Sequence, residues 1–525
     1  MPLHRQIYEQ IRTAILTGTL RSGQKIPASR QLAQSLGVSR STVTQSYDQL
    51  ISEGYLHTQT GSGTFVCAAI PDDLLTTEPL PRRARSQKIA QSTEQGISIG
   101  IGPGIGQEAD LPCTPAMNPL PQLSAYAQRI HAIAPPTAQT KDSISFRYWR
   151  PDLSLFPTHQ WQRLIKRHSQ ANTNWMTYST TTQGHPQLRE EIVTYISQAR
   201  GVRCSHEQIV ITQGTQQALG LIAQLLLNPN DTVAIEEPGY LSARKIFLSR
   251  AACLLPIPVD GEGMIIHAAN GLIEQTNRQS AKLLYLTPSH QFPTGAVMSL
   301  QRRLAVLQWA RDTHSFIVED DYDSEFRYAG RPVPALQGLS SDSDSDSLSN
   351  AHVLYIGTFS KVMFPGLRLG YLVLPPALVP VFARAKWLCD RQCSWLHQAA
   401  LADFIGQGHL SQHTRRMRAV YGRRRETLIQ ALQESCRDIG PTSIEGDPAG
   451  LHLVAQLPLA QLGVSDQQLA EQAKHQGVDL FSLRRYYLRP PENNDRFIFG
   501  FGGLDETEIR EAIARIRTVL KSEPF

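Results

Sequence analysis

The sequence predicts two domains, a small α+β domain at the N-terminus and a larger α/β domain with a mostly parallel central sheet. The chain has 525 residues, and single hydrophobic cores stop growing near roughly 250–300 residues. Residues 3–67 combine three stretches of helical apolar spacing with a short hairpin pattern. Beyond residue 145, helical segments alternate with short apolar runs that end in polar, glycine or proline residues, which is typical of a sheet covered on both faces.

Composition and charge are those of a soluble globular chain. The net charge is +5, and no apolar run approaches the roughly 20 residues that a membrane-spanning helix needs. The N-terminus lacks the apolar segment of a signal peptide. Seven scattered cysteines show no spacing typical of a zinc site or a redox pair. We therefore expect a cytoplasmic protein that has no metal site and does not associate with membranes.

The first 67 residues carry the pattern of a winged helix-turn-helix. Only the three-residue turn Gly-Val-Ser separates the second predicted helix from the third, and two β-prone runs around Gln-Thr-Gly-Ser-Gly predict the wing. Six Lys or Arg stand against three acids, which is the excess that phosphate contacts need. The outer face of the third helix offers small donors suited to base edges. A three-helix protein-interaction module is the alternative interpretation.

In the segment from residue 68 to residue 142 the apolar residues follow no helical or strand spacing, and Pro, Gln, Ser, Thr and Gly dominate. We predict a flexible linker over 68–142, which places the two domains at 1–67 and 143–525. A basic run that begins at Arg82 is interpreted as a solvated part of this linker. The alternating Ser/Asp run at 340–347 predicts an exposed loop insertion.

The stretch around Lys361 has the most distinctive chemistry of the large domain. A buried apolar run at 353–356 leads into it, and loss of solvation favours the neutral amine that imine formation with an aldehyde requires. Thr358, Ser360 and Arg368 supply two hydroxyls and a fixed positive charge that can hold a phosphate. An aldehyde and a phosphate on one small molecule describe pyridoxal 5'-phosphate (PLP). A surface Ser-Lys pair in a loop is the alternative.

Other predicted strand ends offer complementary groups. Gly214 and Thr215 lie between a strand and an apolar helix, where backbone N–H groups bind phosphate, although an ordinary turn has the same pattern. Tyr240 follows the next strand and offers a ring for stacking. His290 lies in the turn Thr-Pro-Ser-His-Gln-Phe-Pro-Thr-Gly.

An acidic cluster follows another buried run. Burying ionised acids in this position costs folding free energy unless a cation lies against them. A protonated pyridine nitrogen is such a cation. Asp320 and Asp321 are both candidates for that contact, and the phenol of Tyr322 can hydrogen-bond the 3' oxygen of the ring. The rival interpretation is a Mg²⁺ site formed by Asp320, Asp321 and Asp323.

In chain order these motifs resemble fold-type I aminotransferases. Together with the N-terminal domain that precedes them, they resemble the MocR subfamily of GntR-type bacterial regulators. This resemblance covers nearly the whole chain except the linker and the Ser/Asp loop. The segments that carry the resemblance begin at Gln6, Gly23, Gly37, Glu53, Thr287, Glu319 and Gly357. The resemblance implies a small C-terminal α+β part, PLP as cofactor, a homodimer, and double-stranded DNA with two half-sites as partner.

The resemblance also implies roles for individual residues. It makes Lys361 the Schiff-base lysine, Asp320 the partner of the ring nitrogen, and Tyr322 the partner of the 3' oxygen. Tyr240 stacks on the ring or lines the pocket. The implied phosphate contacts are Gly214, Thr215, Thr358, Ser360 and Arg368. The implied DNA contacts are Arg30, Ser39, Arg40, Ser41, Thr44, Thr60 and Gly61.

Two features depart from aminotransferases, and one is that Asp320 stands two residues before its tyrosine where the enzymes commonly have three, which keeps Asp321 open as the alternative. The other is at position 292. Phe292 stands where those enzymes usually have the asparagine that meets the ring oxygen, so this amide is missing or is replaced by His290 or Gln291. The arginine for a substrate or effector carboxylate is either Arg485 or Arg496.

Three functions remain open. The first is a PLP-dependent transcriptional regulator that senses PLP or an amine or amino-acid adduct of it. The second is an active aminotransferase with an accessory DNA-binding domain, and the third is a degenerate sensor that binds only protein partners. The intact winged helix and the missing amide favour the first function. Lys361 and Arg368 argue against the third.

Overall fold

A computed structural model describes residues 3–59, 61–68, 123–133, 143–171, 173–275, 280–329, 333–339 and 352–521. The chain divides into two compact units, Met1–Thr114 and Pro115–Phe525. The basic run at Arg82 and the Ser/Asp run at 340–347 lie outside the described residues.

The first unit contains a winged helix. Its helices are α1 (Leu3–Leu16), α2 (Ser29–Leu36) and α3 (Arg40–Ser52), and its strands are β1 (Lys25–Ile26), β2 (Leu56–Gln59) and β3 (Gly63–Val66). The strands form an antiparallel sheet in the order β1-β3-β2. Gly37 ends α2 in the left-handed conformation, and the Ser39 hydroxyl accepts a hydrogen bond from Thr42 N at 3.2 Å at the start of α3. The predicted helix-turn-helix and wing are confirmed.

Helix α4 (Ala125–His131) lies within the segment for which the sequence predicts no regular structure. The Arg129 side chain donates to the carbonyl of Ser249 at 2.8 Å, and the Arg250 guanidinium lies 5.1 Å from the centre of the Tyr126 ring. The linker prediction is therefore wrong for this stretch. Seven residues are too few for helical spacing to stand out among polar neighbours.

The second unit is built on an eight-stranded sheet. Strand β4 (Ile144–Ser145) precedes it, and the sheet has the order β5-β12-β11-β10-β9-β6-β7-β8. Its strands are β5 (Ile209–Thr212), β6 (Thr232–Glu237), β7 (Cys253–Asp260), β8 (Gly263–Met264), β9 (Leu283–Leu286), β10 (Phe316–Asp321), β11 (Val353–Thr358) and β12 (Gly370–Val373). Strands β7, β6, β9, β10 and β11 are mutually parallel, whereas β12 is antiparallel to both neighbours.

Helices cover both faces of this sheet. They are α5 (Thr158–Ala171), α6 (Pro186–Arg200), α7 (Thr215–Leu226), α8 (Leu241–Ser249), α9 (His267–Gln275), α10 (Leu300–Asp312), α11 (Leu336–Leu339), α12 (Val379–Asp390), α13 (Trp395–Gly406) and α14 (His409–Cys436). Alternate residues of β5 enter opposite cores, because Val210 packs with α7 whereas Ile209 and Ile211 pack with α6 and α13. Burial on both faces explains the continuous apolar runs in the sequence.

The C-terminal part is smaller and antiparallel. It contains β13 (Ser443–Glu445), β14 (His452–Gln456), α15 (Leu459–Leu462), α16 (Asp466–His475), β15 (Val478–Asp479), β16 (Phe481–Ser482), β17 (Arg496–Gly500) and α17 (Glu506–Lys521). Four of these strands form a sheet in the order β13-β14-β17-β16, and β15 pairs with β4. Among the helices of the described ranges, none is both long and apolar enough to span a bilayer.

Candidate cofactor site and DNA-reading face

A cavity of about 330 Å³ opens beside the carboxyl ends of β6, β9, β10 and β11. In a parallel sheet these ends share one edge, so residues far apart in sequence meet there. Eight of the predicted cofactor residues line the cavity: Thr215, Tyr240, Asp320, Tyr322, Thr358, Ser360, Lys361 and Arg368. Gly214 adjoins it through Arg368, whereas His290 does not line it.

Lys361 lies just beyond β11, and its amine donates to the backbone carbonyl of Trp149 at 3.1 Å. Burial lowers the pKa of Lys361 to about 8, while the carboxylates of Asp323 and Asp320 oppose this shift. A substantial share of the amine is therefore neutral near physiological pH, as attack on an aldehyde requires.

Asp320 is the penultimate residue of β10 and lines the cavity. The Tyr285 hydroxyl donates to its Oδ2 at 2.8 Å, whereas its buried Oδ1 has no hydrogen-bond partner among the described residues. Burial raises the pKa of Asp320 to about 7. A ring N–H would satisfy the bare oxygen and compensate its charge, so the site fits a pyridinium ring on this observation.

Asp321 points away from the cavity. Its Oδ2 accepts from Arg200 Nε at 2.7 Å and from the Tyr355 hydroxyl at 2.8 Å. Asp323 instead contacts His290. The three acids of the alternative Mg²⁺ site thus have three different partners. Of the two candidates for the contact with the ring nitrogen, only Asp320 lines the cavity.

The opposite side of the cavity offers donors for a phosphate. Gly214 precedes α7 with a φ of 78°. The first N–H groups of an α-helix have no partner within the helix, so those of α7 can meet an anion. A Cβ at Gly214 would be in contact with the Arg368 guanidinium, 3.4 Å from one of its nitrogens, so Gly214 and Arg368 lie side by side at this end of the cavity. The Thr358 and Ser360 hydroxyls lie 3.1 Å apart beside it. This donor set suits a phosphate dianion.

Neither replacement for the missing amide reaches the ring position. Gln291 donates to the carbonyls of Pro238 and Phe292, at 3.0 and 2.7 Å, and the ring of Phe292 itself lines the cavity. His290 is buried behind Tyr322, whose hydroxyl donates to the His290 carbonyl at 2.9 Å. The prediction of a direct cofactor contact by His290 is therefore not supported.

The other lining residues were assigned no cofactor contact from the sequence. They are Tyr148, Trp149, Gln216, Ser242, Tyr285, Thr287, Phe292 and Pro365. Tyr285 had a usable signal, because it is the only polar-tipped residue in the apolar run of β9. Tyr148 and Trp149 follow the two-residue strand β4 and belong to no periodic pattern.

The two candidate arginines differ in their partners. Arg496 pairs with Glu445 at 3.3 Å and donates to the Tyr487 hydroxyl. Arg485 is exposed and lies near the Tyr486 ring, with no hydrogen bond or ion pair to another residue of the described ranges. Burial raises the pKa of Tyr148, which lines the cavity, and the charge of Arg485 partly opposes this rise. The Arg485 charge therefore acts on the cavity. Arg485 is thus the better placed to meet an anionic ligand.

The recognition helix presents its N-terminal turn to solvent. Arg40, Ser41 and the capping Ser39 are exposed, Thr44 is half-buried, and Val43 and Tyr47 pack into the domain core. Arg30 on α2 and Gly61 in the wing turn are also exposed, whereas Thr60 lies outside the described residues. This arrangement suits insertion of the start of α3 into the major groove.

The fold and the site define a winged-helix DNA-binding domain joined to a PLP-binding domain of the fold-type I aminotransferase kind. Residues 3–66 match the family described as bacterial regulatory proteins, gntR family, and residues 152–516 match aminotransferase class I and II. These matches cover both predicted domains.

Similar proteins combine the same two domains. The chain is 36% identical over 519 residues to the probable rhizopine catabolism regulatory protein MocR of Rhizobium meliloti, covering 99% of this chain and 94% of that protein. It is 29% identical to the pyridoxine biosynthesis transcriptional regulator PdxR of Corynebacterium glutamicum, covering 97% and 94%. The chain belongs to the MocR subfamily of GntR-type transcriptional regulators.

Solved structures support the cofactor. The kynurenine aminotransferase of Pyrococcus horikoshii, solved with PMP, superposes with a TM-score of 0.64 at 28% identity, covering 73% of this chain and 91% of that one. The α-aminoadipate aminotransferase LysN of Thermus thermophilus, complexed with N-(5'-phosphopyridoxyl)-L-leucine, has the same TM-score and identity and covers 76% and 97%. PLP is the cofactor that this fold and donor set imply.

Proposed function

We propose that this chain is a homodimeric regulator whose binding to DNA depends on what occupies the cavity around Lys361. The observation that carries the proposal is the presence of Lys361, Asp320 and Arg368 in one cavity of a chain that also has an exposed recognition helix. The signal is PLP itself or an amine or amino-acid adduct of it. Such a ligand acts only if it interacts differently with two arrangements of the protein.

We assign a role toward PLP to nine residues in and beside the cavity. The bound cofactor supplies an aldehyde for covalent attachment and an electron-withdrawing ring. Lys361 is the attachment point, Asp320 holds the ring nitrogen protonated, Tyr322 donates to the ring oxygen, and Tyr240 borders the ring. The phosphate is held by Gly214, Thr215, Thr358, Ser360 and Arg368.

An exposed apolar patch supports the homodimer. Met176, Tyr178 and Leu388 are 65%, 77% and 77% exposed, and Trp387 is 41% exposed. The Arg391 guanidinium lies 4.5 Å from the Trp387 ring and 5.6 Å from the Tyr178 ring, which connects these two side chains. Met176 and Leu388 are their near neighbours in sequence. Monomeric proteins seldom leave such a patch in water, and a second copy of the chain is the proposed occupant.

Two chains bring two recognition helices to one operator. A dimer favours double-stranded DNA with two half-sites, contacted by Arg30, Ser39, Arg40, Ser41, Thr44, Thr60 and Gly61. A regulator that binds the bacterial chromosome acts in the cytoplasm. Arg485 is exposed and next in sequence to Tyr486, and it is the proposed partner of an amino-acid carboxylate because its charge is not engaged by a described acid.

An active aminotransferase is the second candidate. The lowered pKa of Lys361 favours it, because a partly neutral amine also serves proton transfer. The chain is 28% identical over 389 residues to the aromatic-amino-acid aminotransferase 1 of Thermococcus litoralis, covering 73% of this chain and 89% of that enzyme. Steady turnover of an amino acid with a 2-oxoacid would establish this activity, whereas the proposed regulator shows at most a single half-reaction.

The cofactor proposal is tested by the visible spectrum of the purified protein. The parent protein is expected to be yellow and to lose this colour when borohydride reduces it. Lys361→Ala is expected to show neither the colour nor the reaction with borohydride. Lys166→Ala, which alters an exposed lysine on α5, is the control and should keep them. An unchanged spectrum in Lys361→Ala would refute attachment at this residue.

A further inference from the structure

Three polar side chains are buried directly behind Tyr322. His290 and Asp323 are each 1% exposed at the side chain, and His290 Nδ1 lies 3.1 and 3.2 Å from the two carboxylate oxygens of Asp323. The ring of His452 lies 4.7 Å from that of His290. Oxygen and nitrogen atoms of the three residues lie within 4.8 Å of one another. The cofactor roles proposed above use none of these three side chains.

The contacts determine where the His290 proton sits. A ring nitrogen that close to both oxygens of a carboxylate carries a hydrogen, so Nδ1 is a donor. Nδ1 also lies 3.1 Å from the Tyr322 oxygen, which therefore faces an N–H group and not a lone pair. The Tyr322 hydrogen accordingly goes to the His290 carbonyl, whose oxygen is 2.9 Å away.

Neighbouring groups hold this arrangement in place. Asp323 Oδ2 also accepts from Leu451 N at 3.1 Å, which fixes the carboxylate at the start of β14. Gly450 has a φ of 68°, and a Cβ there would lie 2.0 Å from the His290 ring. The imidazole is thus clamped between Gly450 and Tyr322, and His452 is tied separately to the carbonyl of Pro293 at 3.1 Å.

We propose that His290, oriented by Asp323, is a positioning residue that keeps an N–H donor on the Tyr322 oxygen and so strengthens the hydrogen bond that Tyr322 donates to the ring oxygen of bound PLP. Rotation about the C–O bond of Tyr322 moves its hydrogen from the His290 carbonyl to the cavity, while the N–H donor stays behind the oxygen. A phenol whose oxygen accepts a hydrogen bond becomes a stronger donor. This inference rests on the proposed function.

The arrangement accounts for the phenylalanine at position 292. Because Phe292 has no amide, it cannot donate a hydrogen bond to the ring oxygen. His290 compensates for this missing donor through Tyr322, since His290 itself does not line the cavity. Asp320, Glu236 and Tyr148 also act on Tyr322, and Lys361 acts on the neighbouring His452. These four groups remain in each variant tested below, whereas His452 is itself changed in the control.

The test is the pH titration of the visible absorbance of the PLP-loaded protein. Donors to the ring oxygen stabilise the deprotonated form of the chromophore, so a weaker donor moves the midpoint to higher pH. His290→Leu removes the N–H group and is expected to raise the midpoint by about one pH unit, the size of one lost hydrogen bond. His290→Asn places an amide N–H near the Nδ1 position and should restore most of the parent midpoint.

A double-mutant cycle separates this role from a structural one. Tyr322→Phe alone should raise the midpoint, and adding His290→Leu to it should produce no further shift, because His290 acts through the Tyr322 hydroxyl. His452→Gln, a buried neighbour that does not touch Tyr322, is the control and should leave the midpoint unchanged.

A measurement without cofactor covers the case in which His290→Leu binds PLP poorly. With 3-fluorotyrosine at position 322, the ¹⁹F resonance of the cofactor-free protein should shift in His290→Leu and return toward the parent value in His290→Asn. Equal midpoints and equal ¹⁹F shifts in all His290 variants would overturn the inference, as would additive shifts in the double mutant. Absence of visible absorbance from the parent protein would instead refute the proposed function.

Discussion

The Tyr285 hydroxyl of β9 donates to Asp320 Oδ2 of the neighbouring strand β10 at 2.8 Å, whereas Oδ1 of the same carboxylate is buried and meets no donor in the described part of the chain. Burial raises the pKa of Asp320 to about 7, and the hydrogen bond from Tyr285 limits the rise. The protein thus keeps a buried acid whose cost the nearby Lys361 charge offsets only in part. Such a costly arrangement is typical of a site made for a ligand.

This relationship predicts that the cofactor-free protein loses stability as pH rises. The pKa of Asp320 is about 7 in the folded state against an ordinary value of 3.8, so the folded state binds more protons between these values and stability falls with increasing pH. Above pH 7 the cost approaches about 4 kcal/mol as an upper bound. Asp320→Asn should therefore gain stability over the parent progressively from pH 5 to pH 8, measured by urea unfolding.

The control for this prediction is Glu190→Gln, which alters an exposed acid of α6 and should follow the parent curve. Glu236, whose pKa burial also raises to about 7, keeps part of the slope in every variant. Parallel curves for Asp320→Asn and the parent protein would contradict the account of Asp320. Saturating PLP should remove the difference, because the ring nitrogen compensates the charge.

A second prediction concerns the recognition helix. Arg40 is exposed at the first position of α3, so Arg40→Ala should weaken operator binding by roughly 1–3 kcal/mol and relax sequence preference if the side chain reads a base. Arg5→Ala is the matched control, since Arg5 is also exposed but pairs with Glu9 on α1 at 3.7 Å. Fluorescence anisotropy at several salt concentrations measures both effects. Parent-like affinity in Arg40→Ala would disprove the docking assignment.

A third prediction concerns the homodimer. Leu388 is 77% exposed within the apolar patch, so Leu388→Asp places a charge in the proposed interface and should dissociate the dimer. Leu300→Asp changes a leucine that is 56% exposed on α10 and should leave assembly unchanged. Sedimentation equilibrium gives the mass in each case. A Leu388→Asp protein that stays dimeric would show that another surface joins the chains.

A fourth prediction distinguishes the two arginines. Arg485→Ala should weaken the response to an amino-acid effector at least tenfold, the loss expected for one charged hydrogen bond of about 1.5 kcal/mol, without changing PLP affinity. Arg496→Ala should instead lower thermal stability, because it leaves Glu445 and Tyr487 without their partner. Titration calorimetry with amino acids and with PLP distinguishes the effects of the two variants on effector binding and on cofactor binding. The reverse pattern would move the effector site to Arg496.

Local patterns predicted much of the architecture and many of the residues that line the cavity. The apolar runs of β5, β6, β9, β10 and β11 are continuous because both faces are buried, so the strands and the polar residues at their ends were visible in the sequence. Long-range partners were not visible. The choice between Asp320 and Asp321 depends on which side chain Arg200 reaches across the fold, and Arg200 lies more than a hundred residues away.

The role of His290 shows the same limit. Its place beside Phe292 suggested a direct contact with the cofactor, whereas the structure turns its ring toward Asp323 and Gly450. The direction of a side chain in a turn depends on backbone angles and on distant packing, which no local spacing encodes. Helix α4 was missed for a related reason, because its stability comes from contacts with Ser249 and Arg250 and not from its own seven residues.

The most direct test of the central claim is the affinity for a two-half-site operator, measured for the parent protein and Lys361→Ala, each with and without PLP and with PLP plus candidate amines. The account predicts that PLP or its adducts change the affinity or the half-site cooperativity of the parent protein, and that Lys361→Ala loses this response while still binding DNA. Identical binding in every state, with half-sites acting independently, would show that the large domain is not a sensor.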